Sequence, residues 1–335
     1  MSQQSPAIHV NGLTKIYKVP EREGGLAAAM KSLVNRKYKD VKAVDHITFD
    51  VAPGEVVGFL GPNGAGKTTT LKMLSGLLYP SDGAVTVLGY IPSKREKDYL
   101  RKITLIMGQR NQLVWDIPAI DSFDLNRAIY RIPTDTYIKT RDELVELLEI
   151  GDLVKKPVRN LSLGERMKVE FCAALLHLPK VLFLDEPTIG LDVTMQRRIR
   201  QFIAEYNQRY DATVLLTSHY MADVEALCKR VIVIHHGKLL FDGDLSALVD
   251  RFSSMKTIAL KMDGGEADLS GYGEVVDRQP GSAVLRVHKN EIARITAQLL
   301  NDLDISDLTV EDPPIEDVIE DVFATKAEDV AEVSA

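Results

Sequence analysis

One short segment of the 335-residue chain restricts its possible folds more than any other. Residues 61–68 read Gly-Pro-Asn-Gly-Ala-Gly-Lys-Thr, which fits the pattern G-x-x-x-x-G-K-S/T. The apolar run Val56–Leu60, a predicted strand, precedes this segment, and a helical pattern over Lys67–Gly76 follows it. Glycines allow a backbone to wrap closely around phosphate oxygens, and the amides of a helix N-terminus attract anions. The segment therefore predicts a strand–loop–helix unit that binds the phosphates of a nucleotide.

This phosphate loop also indicates which side chains would hold the nucleotide. Lys67 is expected to reach the β- and γ-phosphates, and the hydroxyl of Thr68 is expected to bind Mg²⁺. The alternative is a glycine turn with a surface lysine, which the flanking strand and helix disfavour. The predicted contacts are Gly61, Pro62, Asn63, Gly64, Ala65, Gly66, Lys67, Thr68 and Thr69.

Two carboxylates follow a second apolar run. Asp185 and Glu186 come directly after Val181–Leu184, and ligands of parallel sheets bind at the carboxyl ends of strands. Asp185 is expected to coordinate Mg²⁺, directly or through water, and Glu186 is expected to act as the general base on the attacking water. The alternative is a pair of carboxylates that caps the turn before Pro187. The phosphate loop favours the catalytic interpretation.

The remaining pattern is that of an α/β fold. The apolar runs Val181–Leu184, Thr213–Thr217 and Val231–Ile234 predict strands that are buried on both faces of a parallel sheet. Helical patterns separate these runs, as α/β folds require. Between about residues 117 and 178 only helical patterns occur, which predicts a helical subdomain. Asp242-Gly243 predicts a turn.

The chain beyond residue 250 predicts a small α/β appendage. Strands are expected over Thr257–Met262 and Ala283–Val287, and a helix over Glu291–Leu303. Residues 302–335 carry twelve acidic residues and one basic residue, so this tail has a net charge of −11. Since the whole chain carries −7, the remainder carries −7 + 11 = +4. The predicted domains are thus residues 1–250 and residues 251–335, the latter an accessory region with an acidic tail.

A basic insertion is expected at about residues 20–42. Apolar residues recur there at helical spacing beside Lys31, Arg36, Lys37, Lys39 and Lys42. This pattern indicates either a solvated surface helix or a basic amphipathic helix that touches anionic lipid or a membrane partner.

No uncharged stretch approaches the roughly 18 residues that a membrane span needs. Cys172 and Cys228 form no paired motif, so neither a disulfide nor a zinc site is expected. The chain is therefore expected to be located in the reducing cytoplasm.

A third motif precedes the acidic pair. Residues 161–166 read Leu-Ser-Leu-Gly-Glu-Arg, in which Ser162 and Glu165 form a capping box for a helix. Capping alone would explain the motif, but it also resembles the L-S-G-G-Q signature of ATP-binding-cassette (ABC) ATPases. In that family the signature binds the γ-phosphate of ATP held on the other subunit. The resemblance assigns this contact to Ser162, Gly164 and Glu165.

Further landmarks of the family are present over about residues 8–250. The resemblance identifies Gln109 as the residue that senses Mg²⁺ and the γ-phosphate, and His219 as the switch histidine. It places Asp192, in Gly190-Leu191-Asp192, on the loop that crosses the dimer interface, and it identifies Tyr17 as the residue that stacks on adenine. Tyr17 packing at a sheet edge is the alternative. The sequence departs from the family at Leu163, Glu165 and Ile189, and in the basic insertion.

The resemblance implies an α/β P-loop NTPase of the ABC ATPase type that hydrolyses ATP with Mg²⁺ as a head-to-tail dimer with a second copy of itself. Residues 76–83, 108–116 and 187–193 look like ABC-2-type exporters, and the closest resemblance is to viologen-exporter-like ATPase subunits. The expected partner is a separate ABC-2-type permease, at the cytoplasmic face of the membrane.

The site of permease docking is expected in the helical region, where Trp115 is either packed in the core or in contact with the permease. Residues 251–335 are expected to stabilise the dimer or to act as a passive cover. The alternative functions are a soluble ABC ATPase of DNA repair or translation, and the ATPase subunit of an importer. No nucleic-acid partner is expected, because the modules typical of such ATPases are absent from the sequence.

Overall fold

The computed structural model describes residues 5–20, 38–108, 112–263 and 267–324. Most of the basic insertion, Gln109 and the end of the acidic tail lie outside these ranges. The chain divides into two compact units, residues 1–242 and 243–335. No helix in the described ranges is both long enough and apolar enough to cross a membrane.

The first unit contains two sheets and seven α-helices within its described residues. Its strands are β1 (Ile8–Pro20), β2 (Tyr38–Val51), β3 (Val56–Leu60), β4 (Asp82–Val87), β5 (Ile103–Met107), β6 (Val181–Asp185), β7 (Thr213–Thr217), β8 (Arg230–His235) and β9 (Lys238–Asp244), the last of which continues two residues past the boundary. Its helices are α1 (Lys67–Leu74), α2 (Lys97–Leu100), α3 (Ala119–Tyr130), α4 (Thr134–Leu147), α5 (Leu163–Leu175), α6 (Val193–Tyr210) and α7 (Met221–Leu227).

The larger sheet has six strands in the order β5-β6-β7-β3-β8-β9. Strands β5, β6, β7, β3 and β8 pair in parallel, and every residue of β6 and β7 is buried. This confirms the parallel sheet predicted from the apolar runs. Because the strands are parallel, the carboxyl ends of β3, β6 and β7 share one edge of the sheet, where the phosphate loop and the acidic pair begin.

The smaller sheet is antiparallel, with the order β2-β1-β4. Phe49 of β2 packs 5.7 Å, between ring centroids, from Phe59 of β3. One apolar core connects the two sheets and α1 and includes Ile8, Phe49, Phe59, Leu71, Phe183 and Ile232. This core fixes the strand–loop–helix unit from both sides.

The predicted turn at Asp242-Gly243 is wrong, because both residues belong to β9. The turn between β8 and β9 lies instead at His236 and Gly237, whose φ angles are 47° and 77°. Two consecutive positive φ angles are the geometry of a tight hairpin turn, and glycine adopts the second at no steric cost. The Asp-Gly pair therefore occupies extended backbone six residues after the point where the chain reverses.

The second unit is a small α/β structure with its own core. Its elements are α8 (Leu245–Phe252), β10 (Met255–Met262), β11 (Glu274–Gln279), β12 (Ser282–His288), α9 (Ile292–Asp302), β13 (Ile305–Glu311) and α10 (Ile315–Ala324). The sheet is antiparallel with the order β11-β12-β10-β13. Its core is formed by Ile258, Leu260, Leu269, Ala283, Leu285, Val287, Ile295 and Leu299. The predicted appendage is therefore present, with two more strands, β11 and β13, than the sequence patterns indicated.

Candidate active site

The phosphate loop connects β3 to α1 and requires glycine at two positions. A Cβ atom on Gly61 would lie 2.3 Å from the carbonyl oxygen of Ile234, and one on Gly66 would lie 2.3 Å from that of Ala43. Gly66 also has a φ of 108°, in the left-handed region, and caps the N-terminus of α1. The loop is thus held against β8 and β2 by contacts that leave no room for a side chain.

Lys67 lies in the interior of this loop. Its side chain is buried, and its ammonium donates hydrogen bonds to the carbonyl oxygens of Gly61 and, at 3.2 Å, Pro62. Burial lowers the pKa of Lys67, while the carboxylates of Glu186 and Asp185 oppose that shift. The lysine is therefore at the phosphate loop and within the field of both carboxylates of the acidic pair.

Thr68 and Asp185 are in direct contact although they are 117 residues apart in the chain. The Thr68 hydroxyl lies 2.9 Å from Oδ2 and 3.1 Å from Oδ1 of Asp185. Hydroxyl and carboxylate oxygens are the hard ligands that Mg²⁺ prefers, usually with water and phosphate oxygens completing the shell. The donor atoms at this point fit Mg²⁺, as the sequence predicted for both residues.

Thr217, at the end of β7, is a site residue that sequence reasoning missed. Its hydroxyl donates to Asp185 Oδ1 at 2.8 Å and accepts from the backbone N–H of Glu186 at 3.1 Å. Its carbonyl oxygen accepts from the same N–H at 3.0 Å. A signal was present in the sequence, because a threonine ends the buried apolar run two residues before His219.

Glu186 and His219 face each other beyond the ends of β6 and β7. His219 Nε2 lies 2.8 Å from Glu186 Oε1, and both side chains remain partly exposed. Glu186 has a φ of 54°, which is uncommon for a residue other than glycine. The sheet edge thus presents a solvent-accessible carboxylate beside an imidazole, next to the Thr68–Asp185 pair.

The backbone on both sides of Gln109 is anchored. The N–H of Gly108 donates to the carbonyl oxygen of Asp185 at 3.0 Å, and a Cβ atom on Gly108 would lie 2.2 Å from the carbonyl oxygen of Glu186. The N–H of Gln112 donates to the carboxylate of Glu170, on α5, at 2.9 Å. Gln109 itself lies outside the described residues, and its predicted role is not addressed by this geometry.

The capping box predicted at the signature is present at the start of α5. The N–H of Ser162 donates to Glu165 Oε2 at 2.8 Å, and the N–H of Glu165 donates to the Ser162 hydroxyl at 3.3 Å. The hydrogen bonds from the backbone and side chain of Ser162 hold the pKa of Glu165 below its usual value. Glu165 is therefore ionised at neutral pH, at the exposed N-terminus of the helix.

The signature lies beside the loop Gly190–Asp192 of the same chain. A Cβ atom on Gly164 would lie 3.0 Å from the side chain of Met195, and one on Gly190 would lie 3.3 Å from Leu163. Asp192 caps α6 by accepting a hydrogen bond from the N–H of Met195 at 2.9 Å. Among the described residues, no hydrogen bond or ion pair joins the signature to the phosphate loop.

Tyr17 lies on β1 opposite Val41 of β2. Its side chain is exposed, and the ammonium of Lys15 lies 5.4 Å from the centroid of its ring. An exposed ring face is compatible with stacking on a nucleotide base as well as with packing at the sheet edge. Stacking of Tyr17 on adenine stays a prediction.

Two family models match the chain. The ABC transporter model matches residues 44–189, which contain the phosphate loop, the signature and the acidic pair. The model of the EvrA-like ABC transporter C-terminal domain matches residues 254–311, which contain the four-stranded sheet of the second unit. The two matches fall on opposite sides of the boundary between the compact units.

Individual relatives are also ATP-binding proteins of transport or resistance systems. The ABC transporter ATP-binding protein NatA of Bacillus subtilis is 36% identical over 64% of this chain and 87% of the relative. The bacitracin transport ATP-binding protein BcrA of Bacillus licheniformis is 36% identical over 62% of this chain and 66% of the relative. The linearmycin resistance ATP-binding protein LnrL of Bacillus subtilis is 32% identical over 69% of this chain and 74% of the relative.

Solved structures agree on the fold. CbiO1 of Clostridium perfringens, part of the ABC transporter complex cbiONQ, matches with a TM-score of 0.59 at 25% identity over 72% of this chain and 89% of the other. A dimeric ATP-binding cassette bound to ADP and Pi in a post-hydrolysis state matches with a TM-score of 0.58 at 21% identity over 71% of this chain and 98% of the other. With the phosphate loop, the acidic pair and the signature in place, the chain is a member of the ABC transporter family, an ATP-binding subunit with the P-loop NTPase fold and ATPase activity.

Proposed function

We propose that this ATPase powers the export of a substrate through a separate ABC-2-type permease, to which it binds at the cytoplasmic face of the membrane. The observation that carries the proposal is the group formed by Thr68, Asp185, Glu186 and His219 at one sheet edge. Two relatives named for bacitracin transport and linearmycin resistance support the exporter branch. Assignment to the viologen-exporter-like subunits stays a prediction.

Nucleotide binding is assigned to the phosphate loop and its neighbours. The backbone N–H groups of residues 63–69 and the ammonium of Lys67 would hold the ATP phosphates, and Lys67 would exchange its bonds to the loop carbonyls for phosphate oxygens. Thr68 and Asp185, and by resemblance Gln109, would hold Mg²⁺. When bound, that ion supplies positive charge to the phosphate oxygens. Thr217 would keep the carboxylate of Asp185 oriented toward Thr68.

Hydrolysis is assigned to Glu186 and His219. The carboxylate of Glu186 would accept a proton from the attacking water, because it is partly exposed, and its backbone is fixed by Thr217 and Gly108. The imidazole of His219, 2.8 Å from that carboxylate, would orient Glu186 and contact the γ-phosphate. Both residues stand at the carboxyl ends of adjacent parallel strands, where ligands of such sheets bind, and this position supports the assignment.

The second nucleotide contact would come from another copy of the chain. Ser162, Gly164 and Glu165 form an exposed helix N-terminus that is joined by no hydrogen bond to the phosphate loop of its own chain, within the residues described. A helix N-terminus attracts anions, so this surface suits the γ-phosphate on a partner. Asp192 lies beside it on the same face of the chain, as a loop at the interface would. ATP would hold the two copies together, and hydrolysis would release them.

The permease would dock on the helical region. Trp115 is 43% exposed, and the guanidinium of Arg166 lies 5.4 Å from the centroid of its ring. The core-packing interpretation of Trp115 is therefore wrong. Val114, next to Trp115 in the chain, and Leu125 and Ile129 of α3 are also exposed. Exposed aromatic and aliphatic side chains are enriched at protein interfaces, which suits contact with the permease.

The Glu186→Gln variant tests the catalytic assignment. It should bind ATP, lose turnover and accumulate as a dimer on gel filtration with ATP and Mg²⁺, because the amide cannot accept the proton. Glu146→Gln, an exposed residue of α4, is the matched control and should behave as wild type. Turnover near wild type in Glu186→Gln would contradict the general-base role.

The Ser162→Ala and Gly164→Asp variants test the contact across the dimer. Both should lower hydrolysis and leave ATP affinity of the monomer largely intact, because the residues would bind ATP only on the partner. A large loss of monomer affinity would contradict this arrangement.

Purification from membranes tests the transport assignment, since a co-purifying multi-span protein supports it, whereas co-purification with ribosomes or DNA contradicts it.

A further inference from the structure

Asp223, on α7, is a buried carboxylate that the proposed mechanism does not use. It is 1% exposed and lies four residues after His219. Three donors converge on it. Oδ2 accepts from the hydroxyls of Thr188, at 2.5 Å, and Ser218, at 2.6 Å, and Oδ1 accepts from the guanidinium of Arg200 at 2.8 Å.

The three donors come from the segments that carry the proposed catalytic groups. Thr188 lies between Glu186 and the loop Gly190–Asp192, and Ser218 directly precedes His219. Arg200 lies on α6, the helix that Asp192 caps. One carboxylate thus connects the backbone after the general base to the backbone before the switch histidine.

The turn that carries His219 is closed by the same groups. The Ser218 hydroxyl accepts from the N–H of Tyr220 at 3.0 Å, and the N–H of Asp223 donates to the carbonyl oxygen of Tyr220 at 3.0 Å. His219 itself makes its contact with Glu186 through partly exposed atoms. Exposed side chains do not hold two loops at a fixed distance, because water competes for their hydrogen bonds. The buried bonds to Asp223 supply that constraint.

Because it is buried, the carboxylate of Asp223 requires hydrogen-bond donors and a balancing positive charge. Arg200, whose side chain is 13% exposed, balances its charge at Oδ1, and the two hydroxyls both donate to Oδ2. A buried charge needs such partners, so the carboxylate holds all three donors in place at once. A neutral side chain of similar shape would not impose the same geometry on both loops.

We propose that Asp223 is a positioning residue for ATP hydrolysis, which sets the distance between Glu186 and His219 by tying Thr188 to Ser218. This inference rests on the proposed roles of Glu186 and His219. It goes beyond them in assigning the alignment of the two loops to one buried carboxylate. The competing interpretation is a buried ion pair that stabilises the fold and has no effect on the chemical step.

The Thr188→Val variant separates the two interpretations, because it keeps the shape of the side chain and removes one hydroxyl. Asp223 keeps Arg200 and Ser218 as partners, so the fold should be retained. We expect kcat to fall about tenfold, the size of one hydrogen bond to a charged group. ATP affinity of the monomer should change less than twofold. Thr188→Ser, which keeps the hydroxyl, should restore kcat.

Ser218→Ala provides an independent second variant, and Thr213→Val provides the control. Ser218→Ala should lower kcat about tenfold at unchanged monomer ATP affinity, by the same reasoning. Thr213 is a buried threonine at the opposite end of β7, so Thr213→Val should keep the wild-type kcat of the folded protein. Circular dichroism and thermal melting of all variants measure the folded fraction by which kcat is corrected.

The outcomes are distinct. A wild-type kcat in Thr188→Val or in Ser218→Ala overturns the inference, and so does a loss that disappears after correction for the folded fraction. A loss of kcat with a parallel loss of monomer ATP affinity also overturns it. Glu186→Gln is measured in the same series. If it retains turnover, the proposed catalytic roles fail. If it abolishes turnover while Thr188→Val behaves as wild type, only the role of Asp223 fails.

Discussion

Asp185 accepts hydrogen bonds from two threonine hydroxyls, one on the phosphate loop and one at the end of the neighbouring strand. Thr68 would turn toward the metal when nucleotide binds, because its hydroxyl is an expected ligand. Thr217 has no such role, and its hydroxyl also accepts the N–H of Glu186. One hydroxyl therefore contacts both residues of the acidic pair, the carboxylate of Asp185 and the backbone N–H of Glu186.

Thr217→Val should lower the kcat of ATP hydrolysis about tenfold, because Asp185 loses a charge-assisted hydrogen bond. The free energy of unfolding should fall by about 1–2 kcal/mol, since the carbonyl oxygen of Thr217 still accepts from Glu186. Steady-state ATPase assays and urea unfolding measure these changes. Thr213→Val, at the other end of the strand, should lower stability without lowering kcat. Equal kcat values in the two variants would contradict the role of Thr217.

His177 predicts a pH dependence of stability. It stacks on Tyr130 with ring centroids 3.9 Å apart, and its Nε2 lies 3.0 Å from the carbonyl oxygen of Ile103. Burial lowers the pKa of His177 to about 4. Because the folded pKa lies below the unfolded value of about 6.5, the unfolded chain takes up a proton between pH 6.5 and 4 that the folded chain does not. Stability from this group is complete above about pH 6.5 and falls as the pH falls to about 4.

The expected loss from His177 between pH 7.5 and pH 5 is about 2 kcal/mol. His177→Phe keeps a ring against Tyr130 and removes the titration, so its unfolding free energy should fall by about 2 kcal/mol less over the same interval. Urea unfolding at the two pH values measures this difference. An identical pH dependence in the variant would show that His177 does not titrate as described.

The predictability of the site differed from residue to residue. Lys67, Asp185 and Glu186 were placed from the sequence because each follows an apolar run that ends at the same sheet edge. The contact of Thr68 with Asp185 follows from that topology. Thr217 and Asp223 were not predicted, because their roles come from hydrogen bonds between strands and loops that are distant in sequence, and an isolated threonine or aspartate carries no spacing signal.

At the scale of elements, the start of α5 combines a structural and a proposed binding role. The carboxylate of Glu165 closes the capping box by accepting the N–H of Ser162, so Glu165 lies at the helix end that would face a partner's γ-phosphate. A glutamine oxygen accepts the same bond without the negative charge. The departure of this signature from the family pattern at residue 165 therefore changes the charge of the surface and preserves the cap.

Glu165→Gln should tighten the ATP-dependent dimer about two- to fivefold, because one negative charge near the phosphates is removed while the helix cap remains. The measurement is the dimer dissociation constant in the Glu186→Gln background, by sedimentation at fixed ATP and Mg²⁺. The unfolding free energy should fall by roughly 0.3–1 kcal/mol, because the amide keeps the cap hydrogen bond but loses the attraction between the negative charge and the helix N-terminus. Glu146→Gln removes a charge elsewhere and should leave the dimer unchanged. A weaker dimer in Glu165→Gln would contradict the expected repulsion between Glu165 and the phosphates bound to the partner.

Strands with at least one buried apolar face were predicted, as in β6, β7, β10 and β12, whereas β11 and β13, which have no buried face, were missed. The uninterrupted apolar runs of β3, β6 and β7 leave no other interpretation, whereas β11 is exposed at every residue and β13 carries polar and acidic side chains. Such strands form because they pair with a neighbour, which a local pattern does not report. The turn was also misplaced because the local sequence pattern did not report it. The chain reverses at His236-Gly237 through two consecutive positive φ angles.

At the scale of the whole molecule, the second unit packs around a core of its own. A unit with a separate core is able to carry a separate function, and we expect residues 251–335 to stabilise the dimer of the ATPase. The acidic tail restricts the possibilities further. Residues 302–335 carry a net charge of −11, so any surface that binds this region closely needs compensating positive charge.

A chain without residues 245–335 tests this expectation. Its monomer should bind ATP within about twofold of the full chain, because all predicted nucleotide contacts precede residue 220. In the Glu186→Gln background, its ATP-dependent dimer should dissociate at least about tenfold more readily, since the contribution of the second unit is lost. Sedimentation of both chains at equal ATP and Mg²⁺ measures the difference, with circular dichroism to establish that the shortened chain is folded. A passive cover predicts the same dissociation constant for both chains, and that result would assign the dimer to the ATPase unit alone.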